Sequence, residues 1–184
     1  RQKEFNDRTE LFMNALNVDE MVGQVLASEG FSQVEEVAYV DQDEIASIEG
    51  FDEETAEEIQ SRAREYLDAL EAELEEKRIE LGVEDDLKSV PGMTTAMLVA
   101  LGEEGIKTMD DFAGCAADDL VGWVERKDGE TKKFEGTFSN MDVSRAEAEQ
   151  MIVAARLALG WITEEDLAEP EEEGEEAGVE AESE

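Results

Sequence analysis

Carboxylates are the commonest side chains in this sequence that could do chemistry. The 184 residues include 52 Asp and Glu but only 15 Lys and Arg, which gives a formal net charge of −37 at pH 7. Carboxylates act as general acids or bases, bind metal ions, or meet basic surfaces on other molecules. Three adjacent pairs in the second half of the chain are the candidate partner-binding residues: Glu103, Glu104, Asp110, Asp111, Asp118 and Asp119.

The other residue types argue against catalysis and metal binding. The sequence has no His and one Cys, Cys115, so Ser-His and Cys-His nucleophiles and His-ligated metals are excluded. The Asp-Gln-Asp-Glu run at 41–44 begins like a calcium loop, but the next two residues are Ile and Ala, where an EF-hand needs an oxygen ligand and a glycine. N-capping by Asp41 and Asp43 explains the run better. We predict no enzyme activity, no catalytic residue, no metal and no cofactor.

The charge balance also restricts the partners. A surface this acidic repels nucleic acid, whose binding depends on Lys and Arg, and it repels anionic membranes. The longest apolar stretch, at 151–159, is too short to span a bilayer and contains Arg156. One cysteine fits a reducing compartment, so we expect a cytoplasmic protein. Basic partner surfaces are the ones that this field attracts.

The chain contains two copies of one unit. At a numbering offset of 75 the first half matches the second, and after Trp123 the offset becomes 92, so the second copy has an insertion before Val143. Matched pairs are Val18 and Met93, Leu26 and Leu101, Gly30 and Gly105, Ala56 and Ala148, Ala63 and Ala155, and Arg64 and Arg156. The ordered matches on both sides of a single gap indicate a true repeat.

Apolar spacings of three and four residues predict that both copies are helical. The fold class is therefore all-α, with two tandem helix-hairpin-helix units of the SAM-like type. We predict an end of a preceding helix at 1–11, a first unit at 12–67, a helical linker ending in a short acidic segment at 68–86, a second unit at 87–162 with its insertion at 124–142, and a disordered acidic tail at 163–184. In the first half, Asp52 caps the last helix, whereas Asp118 and Ser144 cap helices in the second.

The insertion is the one basic place in the chain, with Arg126, Lys127, Lys132 and Lys133. Asp128-Gly129 between two short runs predicts a type I′ turn and a small β-hairpin. This hairpin either touches phosphate or is a solvated decoration, and the second interpretation is favoured. We expect Cys115 in the core, and we favour the core over an interface for Trp123 and Trp161.

Two turns resemble the hairpin of a helix-hairpin-helix motif, at 90–93 (Val-Pro-Gly-Met) and 48–51 (Ile-Glu-Gly-Phe). DNA-binding versions have a second glycine there, which lets the backbone approach a phosphate. In this sequence Thr94 and Asp52 take that position, and Asp19 takes it in the matching turn of the first copy. A carboxylate repels phosphate, so we predict that the hairpins serve packing and not DNA binding. The structural turn residues are Gly30, Gly50, Pro91, Gly92 and Gly105.

Two acidic repeats followed by a Glu-rich tail resemble the C-terminal region of the NusA family of bacterial transcription elongation factors. The residues that carry the resemblance are Arg1–Phe5, Leu16–Val22, Leu26–Phe31, Ser32–Ala38, Ile45–Asp52, Val90–Met93 and Ala154–Arg156. The resemblance implies a non-enzymatic, monomeric protein-interaction module for transcription termination and antitermination. Its implied partners are the C-terminal domain of the RNA polymerase α subunit, antitermination proteins, and the RNA-binding domains of the same full-length protein, which it would autoinhibit. An acidic spacer and a nucleic-acid mimic are the alternatives.

Overall fold

The structure, a computed structural model, describes residues 1–168 and divides the chain into two compact units. Unit 1 comprises Arg1–Glu73, and unit 2 begins at Leu74. Most of the predicted acidic tail, residues 169–184, lies outside the described residues. Within residues 1–168, no helix is long and apolar enough to cross a membrane.

Unit 1 is built from helices α1 to α5. Their bounds are α1 Gln2–Leu16, α2 Glu20–Ser28, α3 Val34–Tyr39, α4 Gln42–Ala46 and α5 Glu53–Leu81, the last of which continues past the boundary between the units. The sequence assigns 1–11 to a preceding helix, but α1 runs unbroken to Leu16, and both Phe12 and Leu16 are fully buried in the core of unit 1. Helix α1 meets α2 at Gly23, where an added Cβ would lie 2.9 Å from the Thr9 carbonyl oxygen.

Unit 2 adds a 3-10 helix, four α-helices and two strands. The 3-10 helix is Asp85–Ser89, and the other elements are α6 Thr95–Glu103, α7 Met109–Ala113, α8 Ala117–Val121, β1 Trp123–Lys127, β2 Glu130–Phe134 and α9 Arg145–Ala158. A separate apolar core holds this unit together, with Leu87, Leu98, Leu101, Phe112, Leu120 and Phe138 among its most deeply buried members. Cys115 belongs to this core, as the sequence predicts.

The two units repeat the same order of helices at the spacings found in the sequence. Under the two offsets of the repeat, the first residues of α2, α4 and α5 fall on the first residues of α6, α8 and α9. The caps repeat too. Asp19 accepts a hydrogen bond from the Val22 N–H (2.9 Å), and its equivalent Thr94 accepts one from Met97 (3.2 Å). The predicted all-α fold of tandem helix-hairpin-helix units with a small hairpin is confirmed.

An arginine at matching positions ties the last helix of each unit to an earlier short helix, α3 in unit 1 and α7 in unit 2. The Arg64 Nε donates to the Ala38 carbonyl at 3.2 Å, and the Arg156 Nε donates to the Ala113 carbonyl at 2.8 Å. Ala113 is the repeat equivalent of Ala38, and Arg156 is that of Arg64, so one contact is built twice. Each arginine satisfies carbonyls at a helix end, which otherwise lack a donor.

The end of the predicted linker is part of unit 2. Arg78 is only 3% exposed, and Val83 is equally buried in the core. The Arg78 guanidinium donates to both carboxylate oxygens of Glu75 (3.0 and 2.6 Å) and to the Val83 carbonyl, and it lies 2.7 Å from Asp85. The 68–86 segment is therefore a helix that ends in a packed, hydrogen-bonded corner, where the sequence predicted a short acidic link.

The predicted hairpin is present. Asp128 and Gly129 both have positive φ (54° and 78°), as a type I′ turn requires, and the antiparallel register pairs Trp123 with Phe134 and Lys127 with Glu130. The strands begin one residue before the predicted insertion. The chain that follows the strands returns to the core, because the Phe138 N–H donates to the Leu120 carbonyl at 2.6 Å and the Phe138 ring is fully buried.

Several local predictions are wrong. Asp41 precedes α4 but its side chain makes no capping bond within residues 1–168. Helix α8 starts after Ala116, and the carboxylate that bonds to its start is Asp119, which accepts from the Ala116 N–H, and not Asp118. Trp123 and Trp161 are 43% and 51% exposed instead of buried.

The predicted disordered tail begins too early. Residues 164–168 are helical. Thr163 starts this turn with reciprocal bonds to Asp166: its N–H donates to the carboxylate at 2.8 Å, and its hydroxyl accepts from the Asp166 N–H at 3.4 Å. This is a capping pattern, which satisfies the free N–H groups of a helix start.

Candidate interaction surface

All six candidate carboxylates are exposed, but two of them serve as helix caps. Asp111 accepts hydrogen bonds from the backbone N–H groups of Lys107 (3.0 Å) and Thr108 (3.2 Å), and these bonds hold the pKa of Asp111 below its usual value. Asp119 accepts from the Ala116 N–H at 2.8 Å. Both side chains therefore bond to the backbone at the start of a helix, a role that the sequence alone did not assign to these two residues in particular.

Two more carboxylates form ion pairs with cations of unit 2. Glu103 lies 3.0 Å from the Lys77 ammonium on α5, and Asp118 lies 2.6 Å from the Arg145 guanidinium on α9. All four side chains are about half exposed, so each pair contributes little to stability. The pairs do reduce the local negative field at both positions.

Glu104 and Asp110 are the two candidates that carry no side-chain partner within residues 1–168. Both border the turn between α6 and α7, Glu104 at the end of α6 and Asp110 in the first turn of α7. The turn is fixed, because the Glu84 N–H donates to the Lys107 carbonyl at 2.8 Å. These two carboxylates are therefore displayed to solvent on a fixed turn, available to a basic partner.

The turn between α6 and α7 presents no apolar centre beside these carboxylates. Met109 and Phe112, the large apolar residues of α7, are both buried in the core of unit 2. They face inward because they carry the helical spacing that buries one side of α7. The large exposed apolar side chains of unit 2 lie elsewhere, on the hairpin and at Trp161 among them.

The hairpin carries an aromatic pair that the sequence analysis did not single out. The rings of Trp123 and Phe134 stack with centroids 4.0 Å apart and an angle of 11° between their planes, and they are 43% and 37% exposed. The signal was available, since a two-residue turn at Asp128-Gly129 fixes the register that places these residues opposite each other.

The turn glycines lie where the motif requires them. Gly30, Gly50, Gly92 and Gly105 all have positive φ, and Pro91 is exposed immediately before Gly92. Gly92 (84°) is the repeat equivalent of Asn17 (53°), so the turns before α2 and α6 both contain a left-handed residue. The next motif positions, Asp19 and Thr94, use their oxygens to cap helices, which occupies N–H groups that a phosphate would need.

The single thiol does not offer reactive chemistry. Cys115 is buried, and burial raises the pKa of its thiol, with further increases from the nearby carboxylates Asp119 and Asp111. A raised pKa keeps the sulfur protonated and weakly nucleophilic. Among residues 1–168, no group of three or more Cys, Asp and Glu side chains is arranged to hold a metal ion.

Comparisons with known proteins agree with the fold and with the resemblance. Residues 19–65 match the family model for a SAM-like helix-hairpin-helix tandem. The chain is 39% identical over 120 residues to the transcription termination/antitermination protein NusA of Rickettsia prowazekii (strain Madrid E), and 37% identical over 120 residues to that of Rickettsia conorii (strain ATCC VR-613 / Malish 7). Each match covers 65% of this chain and 24% of the relative, so the chain corresponds to about a quarter of these proteins. The predicted resemblance is confirmed: the chain is similar to NusA, consistent with its C-terminal helix-hairpin-helix region.

Proposed function

We propose that this chain is a non-enzymatic protein-interaction region of a cytoplasmic transcription termination and antitermination factor. The similarity to two NusA proteins over 65% of the chain supports this role. The charge of −37 supports partners with basic surfaces.

Unit 2 docks on a basic surface of the C-terminal domain of the RNA polymerase α subunit. The observation that carries this proposal is the pair Glu104 and Asp110, displayed on a fixed turn without partners among residues 1–168. Asp118 and Glu103 join the contact by exchanging Arg145 and Lys77 for cations of the partner. Exposed charges of this kind mainly speed association and set its salt dependence.

The remaining partners follow from the same charge pattern. Residues 9–61 contain 15 Asp and Glu and no Lys or Arg, so this stretch of unit 1 offers antitermination proteins a strongly acidic surface. The RNA-binding domains of a full-length protein are basic by need, since they bind phosphates. An acidic region in the same chain can occupy them and inhibit RNA binding until another partner removes it.

Reversal of the two free carboxylates tests the docking proposal. Association of the full chain with the purified α C-terminal domain is measured at several salt concentrations for wild type and for the double variant Glu104→Lys, Asp110→Lys. We expect the association rate at low salt to fall several-fold and its dependence on salt to become shallower. Asp111 is left intact because its reversal would also remove its half of the capping box that it forms with Thr108 at the start of α7.

A matched control separates a local surface from net charge. Asp7→Lys with Glu10→Lys reverses two exposed carboxylates of α1, in unit 1, and changes the net charge equally. This control should leave association nearly unchanged. An equal loss in both variants would contradict the proposed surface and favour the acidic spacer or the nucleic-acid mimic, in which total charge decides binding.

A further inference from the structure

The cations of the β-hairpin are more available than most other cations of unit 2. Arg126, Lys127 and Lys132 form no ion pair within residues 1–168, and Lys133 has one exposed partner, Glu135, at 3.8 Å. Elsewhere in unit 2 the cations Lys77, Arg78, Lys88 and Arg145 are all paired with carboxylates. In a chain with 52 acidic residues, three cations of one hairpin that lack a carboxylate partner among the described residues suggest that the hairpin binds an acidic group.

The hairpin is firmly attached at its base. A Cβ on Gly122 would overlap the Phe134 carbonyl oxygen, and a Cβ on Gly136 would overlap the backbone of Leu120 and Gly122, so the two strand ends are in close contact with the end of α8. The Trp123–Phe134 stack closes the same end. The strands therefore present their side chains in a fixed arrangement instead of as a loose loop.

The two faces of the hairpin differ in charge. Side chains alternate along a strand, so Trp123, Glu125 and Lys127 share one face with their cross-strand partners Phe134, Lys132 and Glu130. On that face each lysine stands opposite a glutamate. The other face of the strands carries Val124, Arg126, Thr131 and Lys133, which gives two cations and no carboxylate. We call this second set the cationic face.

A strongly acidic segment of the same chain is tethered to this unit. Residues 169–184 contain nine Glu and no Lys or Arg, and they follow Ala168 directly. Sixteen residues reach at most about 55 Å when extended, whereas a unit of this size has a radius of gyration of about 12 Å. The segment can therefore reach any surface of unit 2, at an effective concentration of order millimolar.

We propose that the cationic face of the hairpin is the docking site for the acidic segment 169–184 of the same chain. Most of unit 2 repels this segment, and the cationic face is the place among its described residues where two strand cations share one face with no carboxylate of the strands. The contact is electrostatic and reversible. A basic partner that attracts the segment releases the hairpin and exposes Arg126 and Lys133.

Charge neutralisation in the full chain tests this proposal. Amide and Trp123 indole NMR signals are compared between wild type and a variant in which the nine Glu of 169–184 are replaced by Gln, so that chain length is kept. At about 0.02 M salt, where the Debye length is roughly 20 Å, the differences should concentrate in residues 123–135. They should disappear near 0.5 M salt. Identical hairpin signals in the two chains at low salt would overturn the proposal.

Two hairpin variants with equal charge changes identify the face. Arg126→Gln with Lys133→Gln should abolish the tail-dependent signal differences, whereas Lys127→Gln with Lys132→Gln should keep most of them. Equal loss in both would overturn the assignment to the cationic face. A short oligouridine serves as the competing probe: if it shifted the same hairpin signals equally in wild type and in the nine-Gln variant, the face would be a nucleic-acid site and not the site of this segment.

Discussion

Removal of the Arg78 guanidinium should destabilise unit 2 much more than removal of a neighbouring exposed cation. Arg78 is 3% exposed and holds Glu75, Asp85 and the Val83 carbonyl in one cluster at the corner between α5 and the 3-10 helix. The proposed perturbation is Arg78→Ala. It removes every bond made by the Arg78 side chain, and alanine is at least as favourable as arginine in a helix.

The magnitude follows from what each partner can do after the arginine is gone. Glu75 keeps Lys88 at 2.7 Å, and Asp85 is largely exposed, so both carboxylates find other partners or water. The Val83 carbonyl cannot, because Val83 is buried, and an unsatisfied buried acceptor costs about 1–3 kcal/mol. Removal of one partner of a fully buried ion pair costs about 3–5 kcal/mol. Here the cost is smaller, because both carboxylates keep access to a cation or to water. With the lost packing of the arginine stem, we expect the free energy of unfolding to fall by about 2–3 kcal/mol.

Tryptophan fluorescence measures this loss in unit 2 alone. Both tryptophans, Trp123 and Trp161, belong to unit 2, and unit 1 has none. In urea, with a slope of about 1.5 kcal/mol per molar, the midpoint should fall by about 1.3–2 M. The matched control is Lys77→Ala, which removes the exposed pair with Glu103 and should cost about 0–1 kcal/mol. Equal midpoints for the two variants would refute the argument that the corner depends on a buried cation.

Three further outcomes are expected. The pKa of Glu75 is lowered to about 2 by hydrogen bonds from two cations, so its contribution to stability is complete above its unfolded value of 4.5 and is lost as the pH falls towards 2. Between pH 4.5 and 2, the stability of unit 2 measured by Trp fluorescence should therefore fall more in wild type than in Glu75→Gln. Parallel stability-against-pH curves for the two proteins would contradict this role of Glu75. Gly122→Ala should open the hairpin base and remove the near-ultraviolet signal of its aromatic stack. Gly129→Ala has the same unfavourable positive φ, but its Cβ meets nothing within 4 Å, so this control should keep the stack. Gln60→Leu leaves two backbone carbonyls near the end of α3 without their donor (3.2 and 2.7 Å), which should cost about 1–3 kcal/mol and speed hydrogen exchange in unit 1; unchanged exchange would show that water replaces the amide.

The repeat predicted most of the fold because the positions that match between the two copies are mainly buried apolar residues and turn glycines. Apolar spacing, capping residues and turn glycines are local signals, and they placed α6, α8 and α9 at the offsets of 75 and 92. The same matching placed Arg64 on Arg156, although only the structure shows that both donate to equivalent carbonyls. A sequence repeat thus identifies the equivalent residues, whereas their contacts have to be read from the structure.

The errors arose where a residue's environment depends on how the chain turns beyond the end of its helix. Arg78 stands in a run of charged residues that is typical of a solvated helix, and its burial depends on Val83 and Asp85 folding back beyond the helix end. Trp123 was expected in the core, because its apolar neighbours continue a helical spacing. The hairpin that starts at Trp123 ends this spacing and exposes the ring.

The candidate surface was only partly predictable, for a related reason. The sequence identifies Asp110 and Asp111 as equal neighbours, yet one is a cap and the other has no partner among residues 1–168. Which of two adjacent carboxylates bonds to the backbone depends on the helix start, and a shift of one residue exchanges their roles. Binding experiments on acidic repeats therefore need the structure first, because a reversal at the capping residue would change stability and association together.

The two units keep the same internal chemistry but differ in what they display. Asp19 and Thr94 cap equivalent helices, and Arg64 and Arg156 make equivalent contacts, so folding constrains both copies in the same way. Residues 9–61 of the first copy have no cation, whereas the second copy carries four in its hairpin. Because the insertion lies where a loop joins α8 to α9, it could change the surface charge of one unit without altering the contacts that the two units share. Different partners for the two units are therefore compatible with a single fold, and the partner preference of unit 2 should follow the hairpin and the Glu104–Asp110 turn instead of the repeat itself.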